Sequence, residues 1–203
     1  MANVTVSYKL FPGYASDLRT KGKEMNGYFS TVFSDVSKMG KDWYGIRYNV
    51  LADDFNKLSP TINDMLKLIM TDTPYTLEKI ARNYASFDGG KKKEPTKTPI
   101  KAMAKIKKTS EDSMGIDDGK VKKTKTAVEK NFTEAKKMMD KLETVIKKMK
   151  WTGPAANSFR SNFAKNKTKI ETEIKKINTQ FGKLMEQTIK DAKSTESANM
   201  GKK

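Results

Sequence analysis

The apolar residues of this chain fall into four stripes at helical spacing, grouped in two pairs, and each pair meets at a tryptophan. In the first stripe Leu18, Met25, Phe29, Val32, Val36 and Met39 lead to Trp43. The steps are of seven, four and three residues, so every member takes an a or d position of a heptad. That spacing predicts a helix with one narrow apolar seam. The second stripe begins soon after, with Leu51, Phe55, Leu58, Ile62, Leu66 and Ile69. Two seamed helices joined by a turn of about two to four residues make an antiparallel hairpin. In the joint Lys41-Asp42-Trp43-Tyr44-Gly45, Gly45 is the residue able to take a positive φ, and Trp43 is placed to plug the closed end by burial.

The joint recurs. Trp151-Thr152-Gly153 lies 108 positions later, with Pro154 suited to the first position of a new helix. The same offset maps Leu51 to Phe159, Phe55 to Phe163, Ile62 to Ile170, Leu66 to Ile174 and Ile69 to Ile177; Leu58 alone meets a polar residue, Asn166. The stripe before the second joint (Val121, Val128, Phe132, Ala135, Met139, Leu142, Ile146, Met149) keeps heptad steps but sits two residues closer to its tryptophan. This is a duplicated helical hairpin with a different turn in the second copy. A hairpin cannot bury its seam alone, so the expected fold is all-α: two helix–turn–helix hairpins forming an antiparallel four-helix bundle with coiled-coil-like seams.

The chain then divides into a first hairpin over residues 1–88, a cationic flexible linker or crossover over 89–119, a second hairpin over 120–193 and a disordered tail over 194–203. Within the first hairpin, residues 1–12 read as an extended arm laid along the bundle. The first helix is expected from about Tyr14 to Gly40, and the second from about Ile46 to Phe87. Pro60 predicts a bend, and Pro74 a kink or short break near residues 71–74, with the stripe resuming at Leu77, Ile80, Tyr84 and Phe87. Gly89-Gly90, Pro95 and Pro99 punctuate the linker, within which residues 100–106 have the makings of a short amphipathic turn. The third helix is expected over about 120–150 and the fourth over 154–193, its seam ending on Ile177, Phe181, Leu184 and Ile189.

Composition narrows the chemistry. Cysteine and histidine are absent, which removes disulfides, thiolate metal sites, and the commonest general base and metal ligand. The acidic pairs Asp53-Asp54, Glu111-Asp112 and Asp117-Asp118 are sequence neighbours, and neighbours on a helix do not converge on one site. No phosphate loop, nucleophile elbow or metal-ligand spacing occurs. The expectation is a non-enzyme without cofactor, metal or small-molecule substrate. The methionines at 25, 39, 65, 138, 139, 149 and 185 fall near the seams and read as gap-fillers of the core. No apolar run is long enough to span a membrane, and the N-terminus carries no conventional signal peptide.

Helix, Trp-X-Gly turn, helix, in a unit of about a hundred residues, resembles the WXG family of early-secreted-antigen-like proteins. The resemblance covers roughly residues 14–88 and 120–193, carried by Trp43 with Gly45 and Trp151 with Gly153. It implies a type VII secretion substrate, secreted or displayed at the cell surface without a cleaved signal peptide, that engages the secretion ATPase and works by protein binding as effector, adaptor or carrier. It further implies two such units fused in one chain, the usual dimer of the family becoming an intramolecular pairing; a homodimer with swapped hairpins is the alternative. A Tyr-X-X-X-Asp/Glu export signal belongs to the family, and Tyr84-Ala85-Ser86-Phe87-Asp88 has that form.

The net charge of +17 is uneven. Residues 1–88 hold 11 Lys or Arg against 10 Asp or Glu, while residues 89–203 hold 30 against 14. This excess supports a second reading, a cationic helical protein whose second half engages polyanions: anionic lipid, cell-wall polymer or nucleic acid. Lys91, Lys92, Lys93, Lys122 and Lys123 are its candidate contacts. Against base reading, Arg160 is the one arginine after residue 88, and the lysines are spread around both later helices. A solvated lysine face with no ligand is the plainest alternative.

Overall fold

In a computed structural model, residues 8–87, 89 and 93–200 are described. The fold is all-α, two helix–turn–helix hairpins packed as an antiparallel four-helix bundle. Helix α1 spans Phe11–Met39, α2 Ile46–Lys67, α3 Thr73–Phe87, α4 Asp118–Lys148 and α5 Pro154–Met200. Two short strands, β1 (Trp43–Tyr44) and β2 (Gly115–Ile116), pair antiparallel. The extended arm expected over residues 1–12 begins outside the described residues. From Tyr8 the chain is a 3-10 turn, Tyr8–Leu10, running directly into α1.

The chain divides into two compact units that cut across the hairpins. One is drawn from Met1–Gly27, Thr61–Ala102 and Glu134–Lys169, the other from Tyr28–Pro60, Met103–Thr133 and Ile170–Lys203. Each therefore contains a segment of every helical limb. The second unit is built on phenylalanine: Phe33 meets Phe55 edge-on at 5.7 Å, Phe55 stacks on Phe132 at 5.8 Å, and Phe29 meets Phe132 edge-on at 6.4 Å. Offset and edge-to-face pairs add about 0.5–1.5 kcal/mol each beyond the area they bury. In the first unit α1 packs closely on the chain after α2. A methyl group added at Gly22 would lie 2.5 Å from Met70 Cγ, so the bare glycine is what admits the contact.

The seams read from the sequence are the core. Every member of the first two stripes is at most 1 % exposed. The seven seam methionines are buried too. In α5 Ile174 is only half-buried, and the seam ends on Met185 and Thr188 rather than on Leu184 and Ile189. Thr188 is tolerated inside because its hydroxyl donates to the Leu184 carbonyl, 2.8 Å away.

The proline-marked break takes a different form from the one expected. Helix α2 runs through Pro60 without interruption. Before Pro74 the chain widens into a π-helical turn, Leu68–Asp72, in which the Thr73 N–H donates to the Leu68 carbonyl five residues back. The wide turn passes the place where Pro74 has no N–H to give. It also rotates α3 about its axis. The buried side of α3 is Thr73, Pro74, Leu77 and Ala81, while Tyr84 and Phe87, expected in the seam, are 42 % and 87 % exposed. At the other end, the tail expected to be disordered from 194 is helical to Met200. Extending a formed helix costs little per residue, and Ser194 and Thr195 hydroxyls donate to the carbonyls of Lys190 and Asp191.

The connection expected as a flexible linker is a strap tied to the helices. In the first unit Glu78 accepts from the Thr96 N–H at 2.8 Å, Arg19 donates to the Thr96 carbonyl, and Thr71 donates to the Thr98 carbonyl. In the second, Asn56 clamps Ile106, accepting from its N–H (2.9 Å) and donating to its carbonyl (3.0 Å), and Asn49 treats Thr109 in the same way at 2.8 and 3.0 Å. Seven residues of α-helix rise about 10.5 Å, and three of extended chain cover about 9–10 Å, so the two clamps are in register. No helical turn forms over residues 100–106. Met103 and Ile106 are buried and Thr109 is half-buried, a period of three proper to extended chain.

Candidate functional site

The first Trp-X-Gly turn is built on backbone. After α1, Lys41 and Asp42 N–H groups donate back to Lys38 and Met39 carbonyls, closing the helix end. The next two residues form β1, with Trp43 opposite Ile116 and Tyr44 opposite Gly115. Gly45 has φ +104°, and its carbonyl accepts the first bond of α2, from the Asn49 N–H at 3.1 Å. Its own N–H donates to the Thr109 hydroxyl at 2.9 Å. Trp43 is fully buried, stacked on Phe181 at 5.9 Å and edge-on to Tyr48 at 6.2 Å. The Tyr48 hydroxyl donates to the Val36 carbonyl at 3.1 Å, and burial pushes its pKa up to about 12. Among the described residues the Trp43 indole N–H has no acceptor, so the ring serves through its apolar faces.

The second turn repeats this plan with other supports. Gly153 has φ +102°, and its carbonyl accepts from Asn157 N–H at 3.0 Å, again opening a helix. Trp151 is 6 % exposed, edge-on to Phe11 at 6.5 Å and against Phe159 at 5.9 Å. Among the described residues no strand braces it. Instead the Trp151 N–H folds back to the Met149 carbonyl at 2.8 Å, and the Arg160 guanidinium donates to the carbonyls of Met149 (3.1 Å) and Trp151 (2.8 Å). This tight local turn absorbs the two-residue shortening seen in the sequence. Both tryptophans are thus buried closures, as the spacing predicts, and both glycines take the left-handed conformation.

The remaining candidates scatter. Tyr84 stands on α3 with its ring stacked on Tyr8 at 5.5 Å. Its partner in the export motif, Asp88, lies outside the described residues, as do Lys91 and Lys92. Lys93 is exposed and lines a cavity of about 140 Å³ together with Tyr8, Glu78 and Arg82. Lys122 is compensated by Asp118 at 2.8 Å, and Lys123 is exposed beside it on α4. Around the first turn Ile46, Val50 and Met114 leave apolar surface open, at 60 %, 37 % and 42 % exposure.

The residues that sequence reading missed are the supports: Arg160, Tyr48, Asn49, Thr109 and the strand at Gly115–Ile116. Only Arg160 carried a signal, as the one arginine in a lysine-rich half. All four arginines are in fact clamps, Arg19 on Glu78, Arg47 on Asp191, Arg82 on Glu94 and Arg160 on the second turn. Their planar fork suits such sites, and lysine is left to cover the surface. Among the described residues no group of three or more acidic side chains is placed to hold a metal ion, and no helix is long and apolar enough to cross a membrane. Comparison with family models, with curated proteins and with solved structures finds no match for the chain.

Proposed function

We propose that this protein is a substrate of a type VII secretion system, two Trp-X-Gly hairpins fused in one chain, which acts outside the cell or at its surface by binding other proteins. The observation that carries this reading is the likeness of the two turns. Each buries its tryptophan against phenylalanine and enters its second helix through a glycine at φ +104° or +102° whose carbonyl accepts the first helical bond. A single Trp-X-Gly is a short motif that arises by chance; two, each between heptad-seamed helices and each entering its second helix through a positive-φ glycine, support the reading more strongly. The hairpins satisfy each other within one chain, and the exported species is a folded monomer near 22.9 kDa. The secretion ATPase is the partner during export, with the partly exposed Tyr84 as the tyrosine of the export signal.

The test is export from a host carrying a type VII system, with and without its ATPase. The protein is expected in the medium only when the ATPase is present, and Tyr84→Ala is expected to stop release while leaving helix content unchanged. Equal release from both hosts would remove the reading.

A further inference from the structure

The large apolar side chains left exposed are gathered in two places, each within a single compact unit. Among the described residues they are Tyr44, Ile46, Val50 and Met114 in one unit, and Leu10, Tyr84 and Phe87 in the other. The first set is one patch. Ile46 and Val50 are four residues apart, on one side of α2. The tip of the strap borders them: Ile46, Arg47, Glu111, Ser113 and Met114 line one cavity of about 220 Å³. The Tyr44 ring covers Gly115, where an added methyl group would sit 2.5 Å from its Cζ. In the second set Tyr84 and Phe87 are three residues apart on α3, and the Tyr8 ring stacks on Tyr84 at 5.5 Å. Phe87 is the barest of the seven. Apolar side chains grouped in this way, unlike singly scattered ones, mark contact sites.

The two places also differ in charge. Residues 109–118 hold four acids and no Lys or Arg, and no ten-residue stretch elsewhere in the chain has four acids. Asp117 and Asp118 are answered by Lys120 and Lys122 at 3.0 and 2.8 Å. Glu111, on the cavity wall, and Asp112 beside it in the chain form no salt bridge among the described residues. The cation that senses Glu111, Lys108, is itself held by Asp53 at 2.8 Å. Residues 79–93, around Phe87, hold instead five Lys or Arg against one acid. A chain of net charge +17 repels its own copies, and does so least where its surface is locally acidic.

We propose that the end of α3, led by Phe87, docks on the apolar patch between the first turn and the strap tip of a second copy of this chain, so that copies associate head to tail. The contact joins finished monomers, and the inference does not depend on the export reading. The Phe87 ring enters the cavity beside Ile46 and Met114, and the cationic chain around it brings positive charge to Glu111 and Asp112. The two halves of the contact are different surfaces, so it is heterologous: each copy offers both halves, and growth continues unless a ring closes. Four partly exposed side chains fall well short of the roughly 800 Å² a side of a stable complex, so the association is weak and shows at high concentration.

The experiment is sedimentation equilibrium of the full chain from about 10 μM to about 1 mM, the range of weak affinities. Salt near 150 mM screens the general repulsion beyond about 8 Å. Two variants are compared, F87S and I46S/M114S. All three positions are exposed, where substitution usually changes stability little, and circular dichroism checks that both variants fold. The mass of wild type is expected to rise with concentration, to about 1.5-fold or more above the 22.9 kDa of one chain. Each variant alone is expected to stay at one chain. The equimolar mixture of the two variants keeps one working contact, between the Phe87 of one and the patch of the other. It is expected to reach pairs and to stop there. Wild type that stays at one chain throughout, a variant that associates alone, or a mixture that stays at one chain or grows past pairs would overturn the proposal.

Discussion

Phe181 stacks on Trp43 at 5.9 Å, its ring inclined by 25°, although 138 residues separate them. The closed end of the first hairpin is thus sealed by a residue of α5. Trp43→Ala is expected to cost about 3–5 kcal/mol, because the surroundings of a fully buried ring collapse only in part. Trp43→Phe is expected to cost markedly less, since it keeps an aromatic face and removes a buried indole N–H that has no acceptor among the described residues. Urea unfolding followed by far-UV circular dichroism separates the two. Equal losses would mean that the N–H does have a partner.

The two turn glycines provide a graded test. Both hold φ near +100°, so alanine is strained at either, by about 1–2 kcal/mol. At Gly153 an added methyl group meets nothing within 4 Å, whereas at Gly45 it would sit 2.8 Å from the Ser113 carbonyl oxygen. Gly45→Ala is therefore expected to lower the unfolding midpoint more than Gly153→Ala. The reverse order would show that the strap around Ser113 yields easily.

Asn56→Ala removes two hydrogen bonds to Ile106 and is expected to destabilise by about 1–3 kcal/mol. The effect should be local. Trypsin should cut after Lys105, Lys107 or Lys108 sooner in this variant than in wild type, and sooner still in Asn49→Ala/Asn56→Ala. Unchanged cleavage would mean that Met103 and Ile106 hold the strap by packing alone.

Glu143 gives the chain an acid-sensitive contact. Hydrogen bonds from Lys147 and Lys167 hold its carboxyl down at about 2. A carboxylate depressed in the folded state contributes stability that is full above the unfolded pKa, about 4.3, and lost as pH falls through the folded value. The difference between wild type and Glu143→Gln should therefore be present at pH 7 and vanish as pH falls from about 4.5 towards 2. Glu143 is a third exposed and Lys147 mostly so, and solvent screening should keep the difference at pH 7 within about 1 kcal/mol. Thermal midpoints of both proteins across that range decide it.

The helical seams were legible in the sequence because burial in a bundle imposes a period, and a period survives individual substitutions. Leu18 to Trp43 and Leu51 to Ile69 are buried at every seam position for that reason. The glycines were legible because a left-handed turn leaves few alternatives. Reading failed where contact is not periodic. The π-helical turn at Leu68–Asp72 shifted the phase of α3, so Tyr84 and Phe87 left the seam they were assigned to. The strap escaped because an asparagine that clamps a backbone looks, in sequence, like any surface asparagine. Met103 and Ile106, three apart in the stretch after Pro95 and Pro99, were the trace it left. Arg160 escaped because its acceptors are carbonyls, which every residue has.

The division into compact units has a kinetic consequence. Each unit is assembled from three separated stretches of chain, and its aromatic contacts join residues as distant as Phe11 and Trp151, or Phe29 and Phe132. Helical proteins usually fold fast because their contacts are local, and these are not. During synthesis the first hairpin emerges with its seam open and waits for a second whose matching residues lie about a hundred positions further on. The interval exposes a row of Leu, Phe, Ile and Met side chains to whatever is nearby. A nascent chain in that condition is a natural client for a chaperone, and its refolding rate should fall well below that of a bundle with short loops.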